Sequence, residues 1–171
     1  MEQGHDSLET VLSNEAVFKA VYELIPAEDT FDVGDIFKVS FTKIYQCFDL
    51  YREGKVLEAV ALIVNSTFDE VLNEPANKAM RFMKWLEGEI DKCVQIMNSI
   101  PSVPNNEMEL AGISDLDQFG EFNIYYSITK NPAEWDMIGH LPFEIVFTKM
   151  KMDGVNSVIQ HNYNEIIKNK K

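Results

Sequence analysis

The sequence predicts a mainly α-helical fold, a multi-helix bundle of about four N-terminal helices followed by about three shorter C-terminal ones. Three observations predict it. Large apolar residues recur at spacings of three and four nearly everywhere, as one face of a helix requires. The 171 residues are 46% hydrophobic and include 11 Phe, 6 Tyr and 2 Trp, enough to fill a core. Helix-start and helix-stop residues also punctuate the chain at helical intervals.

The first segment spans about Ser7 to Ile25. Its apolar positions are Leu8, Val11, Leu12, Val17, Ala20, Val21, Leu24 and Ile25, and Pro26 ends it. Ser13 and Asn14 can split it into two short helices. The second segment places Val33, Ile36, Phe37, Ser40, Phe41, Ile44, Tyr45 and Phe48 on one helical face. Thr30 or Asp32 is the expected cap, and Gly54 sits where a left-handed C-terminal cap belongs. The third segment, about Val56 to Leu72, opens with the run Ala59–Val64. A strand there has no convincing partner, so a helix is expected. Glu74-Pro75-Ala76 opens the fourth segment. It reaches about Ile100 on the stripe Ala79, Met83, Leu86, Ile90, Cys93 and Met97, before Pro101 and Pro104 stop it.

The text from Pro101 to Ile113 reads as an exposed linker. It divides an N-terminal helical domain, residues 1–100, from a C-terminal subdomain, residues 114–171. In the latter, Ser114-Asp115 resembles a cap, and Leu116, Phe119, Phe122, Asn123 and Tyr126 form the expected buried stripe. Asn131-Pro132-Ala133-Glu134 combines an Asn cap, a first-turn Pro and a Glu three residues on, a strong helix start for Trp135, Ile138 and Leu141. A helix begun by Leu141-Pro142-Phe143 carries Phe143, Val146, Phe147 and Met150, and Asp153-Gly154 is expected to break it. A last helix from about Asn156 uses Val158, Ile159, Tyr163 and Ile166, and the terminal lysines are expected to fray.

The formal net charge is −13, from 15 basic and 28 acidic residues. Residues 1–35 hold nine acids (Glu2, Asp6, Glu9, Glu15, Glu23, Glu28, Asp29, Asp32, Asp35) against Lys19. Residues 105–144 hold eight (Glu107, Glu109, Asp115, Asp117, Glu121, Glu134, Asp136, Glu144) against Lys130. Such a surface repels phosphate backbones, which argues against direct nucleic-acid binding and suits a basic protein partner. The N-terminus is acidic and polar, unlike a secretory signal, and the longest apolar run is too short to span a bilayer, so no membrane association is expected.

No catalytic, cofactor or metal site is expected. The glycines do not fall in a phosphate-binding arrangement. His5, His140 and His161 belong to no ligand cluster. Cys47 and Cys93 lie on helical stripes, where buried free thiols are expected and a thiolate would not be stabilised. Acidic pairs such as Asp69-Glu70 and Glu134/Asp136 read as a solvated face, and Glu134 already has a capping role. The aromatic residues singled out as partner-binding candidates are Trp85, Phe119, Phe122, Trp135, Phe143 and Phe147.

Residues 119–152 combine a short aromatic helix, an Asn-Pro-capped helix bearing Trp135 and a Leu-Pro-Phe helix start. That stretch resembles the C-terminal portions of small acidic helical proteins of tailed bacteriophages, including tail assembly chaperones. The resemblance covers about a fifth of the chain. It implies a non-enzymatic virion or tail assembly role through protein–protein contact in the host cytoplasm or virion, with homo-oligomers admitted. It carries over no catalytic residue. The alternative expectation is an acidic mimic of nucleic acid that inhibits a host DNA-binding protein, motivated by charge alone.

Overall fold

A computed structural model describes residues 8–103 and 106–169, apart from the side chains of Thr10, Val11, Val17, Asn106 and Glu107. Among the described residues the structure is helical without a strand: ten α-helices and three 3₁₀ segments. His5, the helix stop expected at Pro104 and the final two lysines lie outside the described residues. The contacts divide the chain into two units. The first comprises residues 1–39 and 43–93, the second residues 40–42 and 94–171. The division therefore falls at Cys93/Val94 and not at 101, and the expected linker contains a helix, Asn106–Leu110.

In the first unit, α1 (Leu8–Leu12) and α2 (Glu15–Leu24) are separate helices, broken at Ser13-Asn14. Leu8 packs into a cluster with Ala76, Ala79 and Met80, flanked by Leu12, Phe18, Tyr22, Ile25 and Leu57. The C-terminal carbonyls of α2 are closed by a distant lysine. Lys84 Nζ donates to the carbonyls of Tyr22, Glu23 and Ile25 at 3.1, 3.2 and 2.9 Å. A cation at a helix C-terminus meets both the unsatisfied carbonyls and the negative end of the helix dipole.

The helix expected from Val33 starts eight residues later. Asp32 and Gly34 both have positive φ, 56° and 78°, which no α-helix accommodates. Thr30 is not a cap; its hydroxyl donates to the Lys78 carbonyl at 2.7 Å. Asp35 instead caps a short 3₁₀ turn, Ile36–Lys38, accepting from the Phe37 N–H. Then α3 runs Phe41–Arg52. Its end matches expectation: Gly54 has φ 74°, its N–H bonds the Tyr51 carbonyl, and the Lys55 N–H reaches back to Leu50 at 2.8 Å. Those two bonds are a Schellman cap.

The expected third helix is two. Left-handed Asn65 (φ 57°) ends α4 (Val56–Val64). A capping box, Thr67 with Glu70, then starts α5 (Phe68–Leu72). The long α6 (Ala76–Asn98) follows, burying Ala79, Phe82, Met83, Leu86, Ile90 and Cys93. Cys47 and Cys93 are free and buried. Burial pushes both thiols up to about 12 from an ordinary 9.0.

In the second unit, α7 (Asn106–Leu110) leads to a 3₁₀ segment, Ile113–Phe119, then α8 (Glu121–Ile128), a 3₁₀ turn at Pro132–Glu134, α9 (Trp135–His140) and α10 (Phe143–Lys168). Ser114 is not the cap expected there; the 3₁₀ segment starts after Gly112. Its core holds Phe41, Tyr125, Ile138, Phe143 and Val146, all at most 4% exposed. Phe41 stacks on Phe143 at 6.1 Å, and the Phe41 N–H donates to the Leu141 carbonyl at 2.8 Å. Asp153-Gly154 does not break the last helix, which runs 26 residues. Gly154 lies against the Pro101 carbonyl, so the missing side chain serves close approach. No helix among the described residues is long and apolar enough to cross a membrane.

Candidate functional site: an apolar groove in the second unit

The residues expected to form one buried stripe are instead left open. Leu116, Phe119, Phe122 and Tyr126 are 39%, 53%, 50% and 49% exposed. The cause is Gly120. Its backbone (φ 53°, ψ −127°) is a combination that side chains resist, and it separates the 3₁₀ segment from α8. Leu116 and Phe119 therefore stand on one segment and Phe122, Asn123 and Tyr126 on another. Together with Trp135 from α9 they line a groove of about 530 Å³. That volume lies within the ligand-cleft range of about 300–1,000 Å³.

The groove is backed by a wall of contacting aromatic rings. Phe122 meets Trp135 at 5.7 Å and Tyr125 edge-on at 5.8 Å. Tyr125 continues edge-on to Phe41 at 6.0 Å, so the lining rests on the unit's core. The Tyr125 hydroxyl shares a 2.6 Å hydrogen bond with Thr42 and donates to Glu121 at 3.0 Å. Burial leads the effects that push this phenol up to about 12. Gly139 makes room for the pair: a Cβ there would lie 2.4 Å from Thr42 Oγ1 and 2.9 Å from the Tyr125 hydroxyl.

Trp135 is set by the expected Asn-Pro start. Asn131 Oδ1 accepts from the Ala133 N–H at 3.2 Å. The Glu134 carboxylate accepts from Thr129 Oγ1 at 2.8 Å and Asn131 Nδ2 at 2.9 Å. Those bonds hold its carboxyl below the usual range, Thr129 contributing most. Trp135 Nε1 donates to the Thr129 carbonyl at 3.3 Å, so the indole N–H is spent within the protein and the ring offers carbon to the groove. The lining's remaining polar groups are Asn123 and the Tyr126 hydroxyl.

The elements around the groove are mostly acidic, with one base on its lining. The elements that build it carry Asp115, Asp117, Glu121, Glu134 and Asp136. Lys130 is the one base between residues 105 and 144, and its ammonium lies 3.6 Å from the centre of the Tyr126 ring.

Of the six aromatic candidates, the structure brings three together here: Phe119, Phe122 and Trp135. Phe143 is fully buried, stacked between Phe41 and Phe147, and its expected partner-binding role gives way to packing. Phe147 is half-buried, with Lys151 near its ring. Trp85 belongs to the first unit, half-buried against Phe82. Leu116 and Tyr126 were missed as candidates because their spacing reads as core. Their signal was Gly120, which interrupts the stripe. Among the described residues, no three His, Cys, Asp or Glu side chains converge as metal ligands. Comparison with protein-family models, curated proteins and solved structures finds no match to the chain.

Proposed function

We propose that the chain is a non-enzymatic binding protein that takes an apolar, basic segment of another protein into the groove between Leu116 and Trp135. The observation that carries this reading is a ligand-sized cleft lined by large half-exposed aromatic side chains and built from acidic elements. Packed aromatic anchors are what binding surfaces use to concentrate affinity. The surrounding carboxylates favour lysine or arginine on the incoming segment and steer the encounter. A virion or tail assembly role, in the host cytoplasm or virion, is the specific form of this reading that the resemblance of residues 119–152 suggests.

A fluorescently labelled helical peptide with leucines on one face and lysines on the other tests it by anisotropy. The reading expects saturable binding that weakens as salt screens the carboxylates. It also expects binding to be lost in Phe122→Ser. A nucleic-acid mimic would bind through charge alone, and its affinity for a basic ligand would survive Phe122→Ser.

A further inference from the structure

The last helix, α10, carries two apolar faces. Phe143 and Val146 are buried on one, and Gly154 on that side meets Ile100 and Pro101. On the opposite side Ile145, Met152, Val155, Ile159 and Ile166 are 51%, 59%, 41%, 54% and 53% exposed. Ile145, Met152, Ile159 and Ile166 recur at intervals of seven. Thr148, Val155 and Asn162 fall between them at steps of three and four. That is a coiled-coil seam, with the first set at a positions and the second at d.

We propose that this face is covered by a second copy of the chain, the two α10 helices pairing as a parallel, in-register coiled coil. Charge distinguishes this face from the groove. The helix holds Glu144, Asp153 and Glu165 against Lys149, Lys151 and Lys168, three of each sign, so it does not repel itself as the acidic regions do. In the parallel register Glu144 of one copy falls beside Lys149 of the other, which also pairs with Asp153 on its own helix, and Val158 beside Tyr163, at the flanking g and e positions. Lys151 faces the neutral Asn156. Identical layers then stack, with Ile at three of the four a positions. Asn162 meets its own copy and each amide can satisfy the other. An antiparallel pairing would set Asn162 against Met152, leaving a polar group facing carbon. As far as Gly154 the unit packs on the opposite face of α10, and beyond it the helix is largely exposed, so the seam is open to the partner.

The test is light scattering of the full chain across a concentration series, with Ile159→Glu and Phe122→Ser alongside. The proposal expects the wild type to rise from 19.6 kDa towards twice that mass. Phe122→Ser is expected to follow it, and Ile159→Glu to stay at the single-chain mass with an unchanged helical circular-dichroism spectrum. A wild type that stays at 19.6 kDa throughout overturns the proposal, as does a dimer that survives Ile159→Glu. Ile166→Cys tests the register. In a parallel pair the two new thiols meet and oxidise to a covalent dimer. In an antiparallel pair centred near residue 157 they stand about 27 Å apart at a rise of about 1.5 Å per residue. A dimer without that disulfide overturns the parallel arrangement.

Discussion

Gly154 sits so close to the backbone of Pro101 that a Cβ on it would lie 2.4 Å from the Pro101 carbonyl oxygen and 3.0 Å from Ile100 Cγ2. A backbone oxygen cannot swing aside as a side-chain tip can. Gly154→Ala is therefore expected to destabilise the protein by about 1–3 kcal/mol, the usual cost of overpacking, despite alanine's better helix propensity. Gly88 is the matched control. It lies inside α6, exposed, with open space where a Cβ would go. Gly88→Ala is expected to stabilise by about 0.5–1 kcal/mol. Urea unfolding of the two variants checks both signs.

The same glycine marks a limit of sequence reasoning. Asp153-Gly154 looks like a helix break when glycine is weighed only as a poor helix former. Whether another backbone presses on it is a tertiary fact. The expected helix from Val33 failed for a related reason. Its apolar spacing is sound, but positive φ at Asp32 and Gly34 redirects the backbone, and the Asp35 cap then starts a separate turn. The Gly54 cap and the Asn131-Pro132 start were legible because each depends on neighbours in sequence. The groove was half legible. Phe119, Phe122 and Trp135 were picked out as aromatic, but their convergence depends on the turn at Gly120.

Thr67 and Glu70 cap α5 reciprocally: Thr67 Oγ1 accepts from the Glu70 N–H at 3.2 Å, and Glu70 Oε2 accepts from the Thr67 N–H at 2.8 Å. Thr67→Ala is expected to cost about 0.5–2 kcal/mol. The Ser66 hydroxyl leads the bonds that hold the Glu70 carboxyl below its ordinary 4.5. A lowered folded value contributes stability above the unfolded value and loses it as pH falls. The penalty of Thr67→Ala is therefore expected to shrink in acid below about 4.5, which unfolding titrations of both proteins at pH 7 and in acid would show.

At the alkaline end the sign reverses. Cys47 and Cys93 are pushed from 9.0 up to about 12, chiefly by burial. Folding favours their neutral forms. That contribution is complete below pH 9 and is lost as pH climbs from there towards about 12. A thiol reagent at neutral pH is expected to label neither cysteine in the native protein and both in urea. Rapid native labelling would contradict the burial of both.

Phe143 and Phe122 separate packing from binding. Phe143 is wholly buried, and Phe143→Ala is expected to cost about 3–5 kcal/mol. Phe122 is half exposed, so Phe122→Ser is expected to cost less stability than Phe143→Ala while removing peptide binding. Denaturant midpoints set beside anisotropy titrations resolve the two effects.

The central claim is that the groove between Leu116 and Trp135 is where a partner segment lies. Photo-crosslinking tests it most directly. A benzophenone side chain in place of Tyr126, a half-exposed groove residue, is irradiated with the leucine–lysine peptide, beside the same replacement at Leu24, which is 86% exposed in the first unit. The expected result is a crosslink from position 126 to the peptide's leucine face and none from position 24. Equal crosslinking from both, or none from 126 while the peptide is bound, would contradict the assignment.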